Sequence, residues 1–137
     1  MCILKALYKM QKYRKKKVVC GKTVLDVVVA DSFVKKAIGL MYRKRLGRKD
    51  GMLFEFGRDG YYGIWMRNML FPIDIVWLDS SGKVVDYVED AAPCKGFFDC
   101  KVYKPCRKAR YIIEANSGFV KSSKLCKGKT VRIDRLN

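Results

Sequence analysis

The chain has 137 residues, 50% of them hydrophobic, and carries a formal charge of +17 from 30 Lys and Arg against 13 Asp and Glu. That length suits one domain with a single core, and the charge attracts polyanions without specifying one, or simply marks the lysine-rich solvated surface common in thermophile proteins. With no histidine, the chain lacks Ser-His-Asp and Cys-His catalysis, zinc-hydrolase motifs and the usual general base near neutral pH.

Residues 1–17 form a basic N-terminal segment, with Lys5, Lys9, Lys12, Arg14, Lys15, Lys16 and Lys17 and no acid. The segment reads as flexible or as a short amphipathic helix, with Ile3, Ala6, Leu7, Met10 and Tyr13 along one side. A membrane surface is one partner for such a helix, ranked below packing on its own domain. No run approaches the roughly 20 apolar residues of a spanning helix, and the segment lacks the apolar middle and cleavage site of a secretory signal, so a cytoplasmic location is expected.

Residues 18–137 read as one globular domain. Strands are expected at 18–20 and 24–29 around a Gly21-Lys22 turn, because β-branched residues dominate both runs. Asp31-Ser32 offers an N-cap to a helix over 33–42, where Phe33, Ala37, Leu40 and Met41 recur at helical spacing and Arg43, Lys44 and Arg45 suit its C-terminal end. Short strands follow at 52–56, 61–66, 73–78 and 84–89. Turn-rich separators at 57–60 and 79–82 suggest an antiparallel meander.

A long connection over 90–107 contains Pro93, Pro105 and three cysteines. A strand at 110–115, a short helix at 117–124 and a closing strand at 130–134 complete the chain. The pattern predicts an α+β fold, mostly antiparallel, with a barrel-like or rolled sheet of about seven or eight short strands and one or two short helices.

The segments Gly39-Leu40-Met41-Tyr42-Arg43, Gly51-Met52-Leu53-Phe54-Glu55-Phe56, Trp65-Met66-Arg67-Asn68 and Pro72-Ile73-Asp74-Ile75 resemble, in order and spacing, the uncharacterised family called domain of unknown function 192. The stretches 82–85, 91–93 and 109–114 extend the resemblance over about Val24 to Ile133. It implies an α+β fold with a barrel-like core and no particular reaction, substrate or cofactor. Where the family pattern often has Lys-Asn-Thr and Leu-Ile-Pro-Leu-Asp, this chain has Arg67-Asn68-Met69 and Leu70-Phe71-Pro72-Ile73-Asp74, which removes the threonine hydroxyl.

Two carboxylates stand on apolar strands. Asp74 shares its strand face with Val76 and Leu78, and Glu114 shares its own with Ile112 and Arg110. Each must be paired or hydrogen-bonded if buried. One reading makes both structural groups that fix turns. The other brings Arg43, Asn68, Asp74 and Glu114 together beside Trp65 in a small polar ligand pocket.

Met41, Met52, Met66, Met69, Trp65 and Trp77 are read as core rather than a soft metal site. The spacing of Cys94, Cys100 and Cys106 suggests a disulfide-stapled loop through Cys94-Cys100 or Cys100-Cys106, or free thiols in a reducing compartment. Without histidine or a Cys-x2-Cys knuckle, no metal and no cofactor is expected.

These readings rank a non-enzymatic binding module for a small ligand or peptide first. An RNA or DNA binder using the basic tail with Tyr61, Tyr62 and Tyr103 is second. A hydrolase built on Asp74 and Glu114 is third, since no recognised catalytic arrangement accompanies them.

Overall fold

A computed structural model describes residues 3–96 and 98–135. In chain order the elements are α1 (Ile3–Met10), β1 (Arg14–Cys20), β2 (Thr23–Ala30), α2 (Phe33–Ile38), β3 (Asp50–Gly60), β4 (Ile64–Trp65), β5 (Ile73–Leu78), β6 (Val84–Ala91), β7 (Val102–Tyr103), β8 (Ala109–Asn116), α3 (Phe119–Ser122) and β9 (Arg132–Arg135). Seven strands form one sheet in the order β6-β5-β8-β3-β2-β1-β9, and β4 pairs with β7 in a separate ribbon.

The fold is α+β with a mixed, rolled sheet. Among the described residues, only β2 with β3 is a parallel pairing in the main sheet. The edges β6 and β9 meet at one corner, where Val84 N–H donates to the Lys129 carbonyl at 2.9 Å and Val131 N–H to the Gly82 carbonyl at 2.8 Å. The roll is therefore pinned there without closing into a barrel. Gly82 is required at that corner: its φ is +86°, and a Cβ would collide with the Val131 carbonyl oxygen.

Several sequence expectations change. The strands at 52–56 and 73–78 are not successive members of a meander, because β8 inserts between β3 and β5. The 57–60 segment is no hairpin turn: β3 runs through it to Gly60, with a register shift between Glu55 and Gly60 against β8. The 61–66 strand shrinks to Ile64–Trp65, whose partner Val102–Tyr103 lies inside the long 90–107 connection. The 33–42 helix stops at Ile38, because Gly39 at φ +52° leaves the helical region. Its start agrees with the sequence, since Ser32 Oγ accepts from Lys35 N–H at 3.2 Å.

The domain boundary at residue 17 also moves. Arg14 to Lys17 belong to β1, paired with β2 on one side and β9 on the other. Basic residues are tolerated there because acids meet them. Arg14 contacts Asp31 at 2.8 Å and Glu55 at 2.9 Å, and the nearly buried Lys16 ammonium also pairs with Glu55.

Both faces of the sheet are covered, which explains why all six residues of β5 are buried. Inside the roll, Leu25, Leu53, Val76, Leu78 and Ile113 pack with Phe119 and Val120 of α3. On the outer face, Met52, Phe54, Ile75, Trp77 and Ile112 lie under Leu40, Met66 and Met69. Trp77 is fully buried, and its Nε1–H donates to the Tyr62 carbonyl at 2.8 Å, tying the 61–72 segment over that outer face.

Candidate functional site

The antiparallel register of β5 and β8 determines what the two carboxylates do. Asp74 lies opposite Ala115 and Ile75 opposite Glu114, so Asp74 and Glu114 point to opposite faces of the sheet. Asp74 faces the inside of the roll and is fully buried. Its Oδ1 accepts from Asp90 N–H at 2.9 Å, and its Oδ2 accepts from Gly118 N–H at 3.2 Å and Val120 N–H at 2.9 Å. This carboxylate ties β6 and the entry of α3 to β5. The two-carboxylate hydrolase is excluded by this geometry, because a sheet layer separates the groups and both Asp74 oxygens are engaged.

Glu114 faces outward beside Met52 and Ile75, the direction of the outer-face core. A cavity of about 600 Å³ opens above it, bounded by α2, the Gly39-Leu40-Met41 turn, Phe54 and Phe56 of β3, and the 62–65 segment. Phe56 and Tyr62 stack with ring centroids 3.6 Å apart, and the Tyr62 hydroxyl donates to the Arg58 carbonyl at 2.6 Å. Lys36 Nζ lies 4.4 Å from the Phe56 centroid. Trp65, 44% exposed, forms part of the wall with the Arg67 guanidinium 4.7 Å from its ring.

At the floor, Glu114 is 4% exposed, and its Oε2 has no hydrogen-bond partner among the described residues. Burial pushes its carboxyl well above the ordinary range, to about 8, while the charge of Arg43 draws it part of the way back. Gly39 sits directly above: a Cβ there would lie 3.8 Å from Glu114 Oε2 and 3.4 Å from Phe54 Cζ. Both are ordinary contact distances, so it is the positive φ of +52° that favours glycine there.

Of the five residues expected to converge, Trp65 and Glu114 line the cavity. Asn68 stands behind its wall, with Nδ2 3.7 Å from Met41 Sδ and its carbonyl accepting from Tyr42 N–H at 2.9 Å. Arg43 acts electrostatically on Glu114 and lines a neighbouring cleft with Lys15 and Lys16. Asp74 is on the other side of the sheet. The pocket is thus mainly apolar and aromatic, with one buried carboxyl, instead of a small polar pocket. The sequence placed the pocket beside the Gly39 to Arg43 turn, of which Gly39, Leu40 and Met41 do line it, but missed Phe33, Lys36, Phe54, Phe56 and Tyr62. The alternation of Phe54 and Phe56 was visible, but pointed to core packing.

Cys94 and Cys100 are joined by a disulfide with Cα atoms 5.0 Å apart, and Cys106 is free. The Cys106 N–H donates to Asp86 Oδ2 at 2.8 Å. Cys20 is buried, and burial pushes its thiol up to about 11 against a lowering contribution from Lys129. Cys2 lies outside the described residues. Among those residues no cluster of three or more Cys, Asp or Glu is placed to hold a metal, and no helix is long and apolar enough to cross a membrane. Of the aromatics expected to stack on nucleic acid, Tyr62 lines the pocket and stacks on Phe56, Tyr61 is exposed, and Tyr103 lies in β7, opposite Ile64, with Lys101 over its ring.

A UPF0127 protein of Thermococcus kodakarensis is 31% identical over 77% of this chain and 62% of its own length, so the chain spans less than two thirds of that relative. A UPF0127 protein of Pyrococcus horikoshii is 35% identical over 72% of this chain and 79% of its own. Both come from thermophilic archaea, the setting that the lysine-rich composition suggested. Among solved structures, a proposed transcription regulator from Sinorhizobium meliloti superposes with a TM-score of 0.79 at 26% identity, covering 89% of this chain and 95% of the other. A protein of unknown function from Novosphingobium aromaticivorans does so at 0.76 and 24% identity, covering 88% and 84%, which bears on the fold alone. The profile of domain of unknown function 192, described as "Uncharacterized ACR", matches residues 15–133, and the chain belongs to that family.

Proposed function

We propose that the protein is a non-enzymatic binding module that takes the apolar or aromatic body of a small ligand or peptide side chain into the cavity over Glu114. One observation carries this reading: a buried carboxyl oxygen without a hydrogen-bond partner at the floor of an aromatic-walled cavity of about 600 Å³. Leaving a buried polar atom unpaired costs about 1–3 kcal/mol, and a ligand N–H reaching Oε2 would offset that cost. An amine fits best. It would supply the partner that Oε2 lacks and form an ion pair with the ionised carboxyl, while the aromatic walls take its apolar body.

Binding is read from Trp65 fluorescence during titration with benzylamine, benzyl alcohol and phenylacetate. The amine is expected to bind wild type most tightly, and more tightly as pH rises toward about 8 and Glu114 loses its proton. Glu114→Gln should weaken the amine by roughly tenfold, the order expected for a hydrogen bond to a charged group, and leave the alcohol nearly unchanged. Equal binding of all three ligands, or an amine affinity that does not respond to Glu114→Gln, would defeat the proposal.

A further inference from the structure

Two clefts lie on either side of the 44–49 loop. One, about 760 Å³, is lined by Lys17, Lys22, Arg48 and Lys49 together with Asn116 and Ser117. The other, about 440 Å³, is lined by Lys15, Lys16, Arg43 and Arg45. Asp26 lines both, so the clefts adjoin. Asp26 is already engaged, by Lys17 Nζ at 3.2 Å.

Among the described residues no ion pair involves Lys15, Lys22, Arg45, Arg48 or Lys49, and all five are exposed. The loop that carries three of them is held in place. Asn116 Nδ2 donates to the Leu46 and Gly47 carbonyls, Asp50 N–H donates to the Gly47 carbonyl at 3.0 Å, and Asp26 N–H donates to the Lys49 carbonyl at 2.7 Å. The cations are therefore presented from an anchored backbone, so less conformational freedom is lost on binding than with a mobile basic tail.

We infer that this double cleft binds the phosphate backbone of a nucleic acid strand. Although Asp26 and Asp50 also line the clefts, the cations outnumber them, and adjoining concave channels of net positive lining track an extended polyanion, whereas a membrane headgroup layer is met by a flat or convex surface. The surface is built on β1, β2 and the 44–49 loop rather than on a free tail, and it shares no lining residue with the aromatic cavity. Of the basic 1–17 segment only Lys15, Lys16 and Lys17 line it, from within β1, and Tyr61, Tyr62 and Tyr103 lie outside its lining.

The test is fluorescence anisotropy with a short fluorescein-labelled single-stranded oligonucleotide, in RNA and DNA arms, over a salt series. Five phosphate contacts predict a log-log salt slope of about −3.5. The double substitution Arg48→Glu with Lys49→Glu should weaken binding by roughly tenfold or more. A control, Lys104→Glu with Lys108→Glu on the 92–108 connection, changes net charge equally and should weaken it by less than about threefold.

Arg48→Gln with Lys49→Gln gives a milder pair should the glutamates disturb the loop, and it should reduce the slope by about 1.4. Equal losses in the cleft and control variants would overturn the inference, as would no binding at low salt. So would binding only to vesicles of anionic phospholipid.

Discussion

Glu114→Gln separates a buried carboxyl from its protonation. In the folded chain Glu114 titrates at about 8, against 4.5 for an ordinary glutamate, mainly because burial disfavours its charged form. The sign follows directly. The folded state holds a proton that the unfolded chain releases above about pH 4.5, so this group's stability is full below that pH and falls as pH rises to about 8. The whole span corresponds to about 5 kcal/mol, with a slope of about 1.4 kcal/mol per pH unit between the two values.

Glutamine keeps the shape and does not titrate, but its amide brings one more N–H than the protonated carboxyl to a site that already lacks a partner, a further pH-independent cost of about 1–3 kcal/mol. The two stability curves should therefore cross. Urea unfolding from about pH 5 to about pH 9 should find wild type more stable at the acid end and Glu114→Gln more stable at the alkaline end. If the two curves stay parallel, Glu114 does not carry the proton and the account of its burial is wrong.

Two further substitutions probe the frame. Asp74→Ala removes the acceptor of three backbone N–H groups in a fully buried position, and urea unfolding should register a loss of about 3–5 kcal/mol without any effect on the ligand affinity of the outer-face cavity. A matching loss of amine binding would mean that the two faces communicate. Cys94→Ser opens the bridge to Cys100 across a separation of 6 residues, and the chain-entropy relation gives a loss of about 2 kcal/mol under oxidising conditions, vanishing when both proteins are compared in reductant.

Local texture revealed many elements and little of their arrangement. The strand Ile73–Leu78 keeps the bounds read from sequence, because a continuous apolar run lies between turn residues and the sheet buries both its faces. That β8 slots between β3 and β5 was hidden, since the pairing joins residues about 40 positions apart in the chain and no turn signal records it. The helix over 33–42 was overlong for a local reason. Its apolar spacing continues through Leu40 and Met41, but Gly39 redirects the chain so that both side chains enter the outer-face structure from a turn.

The candidate site failed at the same point. Period-two alternation gave the correct companions on each strand, Val76 and Leu78 for Asp74 and Ile112 for Glu114. Whether the two carboxylates face one another depends on the register between β5 and β8, and a shift of one residue would have put them on the same face. Register is set by side-chain packing across the whole sheet, so the residues of either strand alone cannot supply it. Phe54 and Phe56 were obscured for a related reason, since an aromatic wall of a cavity and an aromatic core have the same alternation. What distinguishes them is the carboxyl beneath: in a closed core Glu114 would need an internal partner for Oε2, and none of the described residues supplies one. The local rule breaks at the floor of an open cavity, which is where the proposed ligand would supply the missing partner.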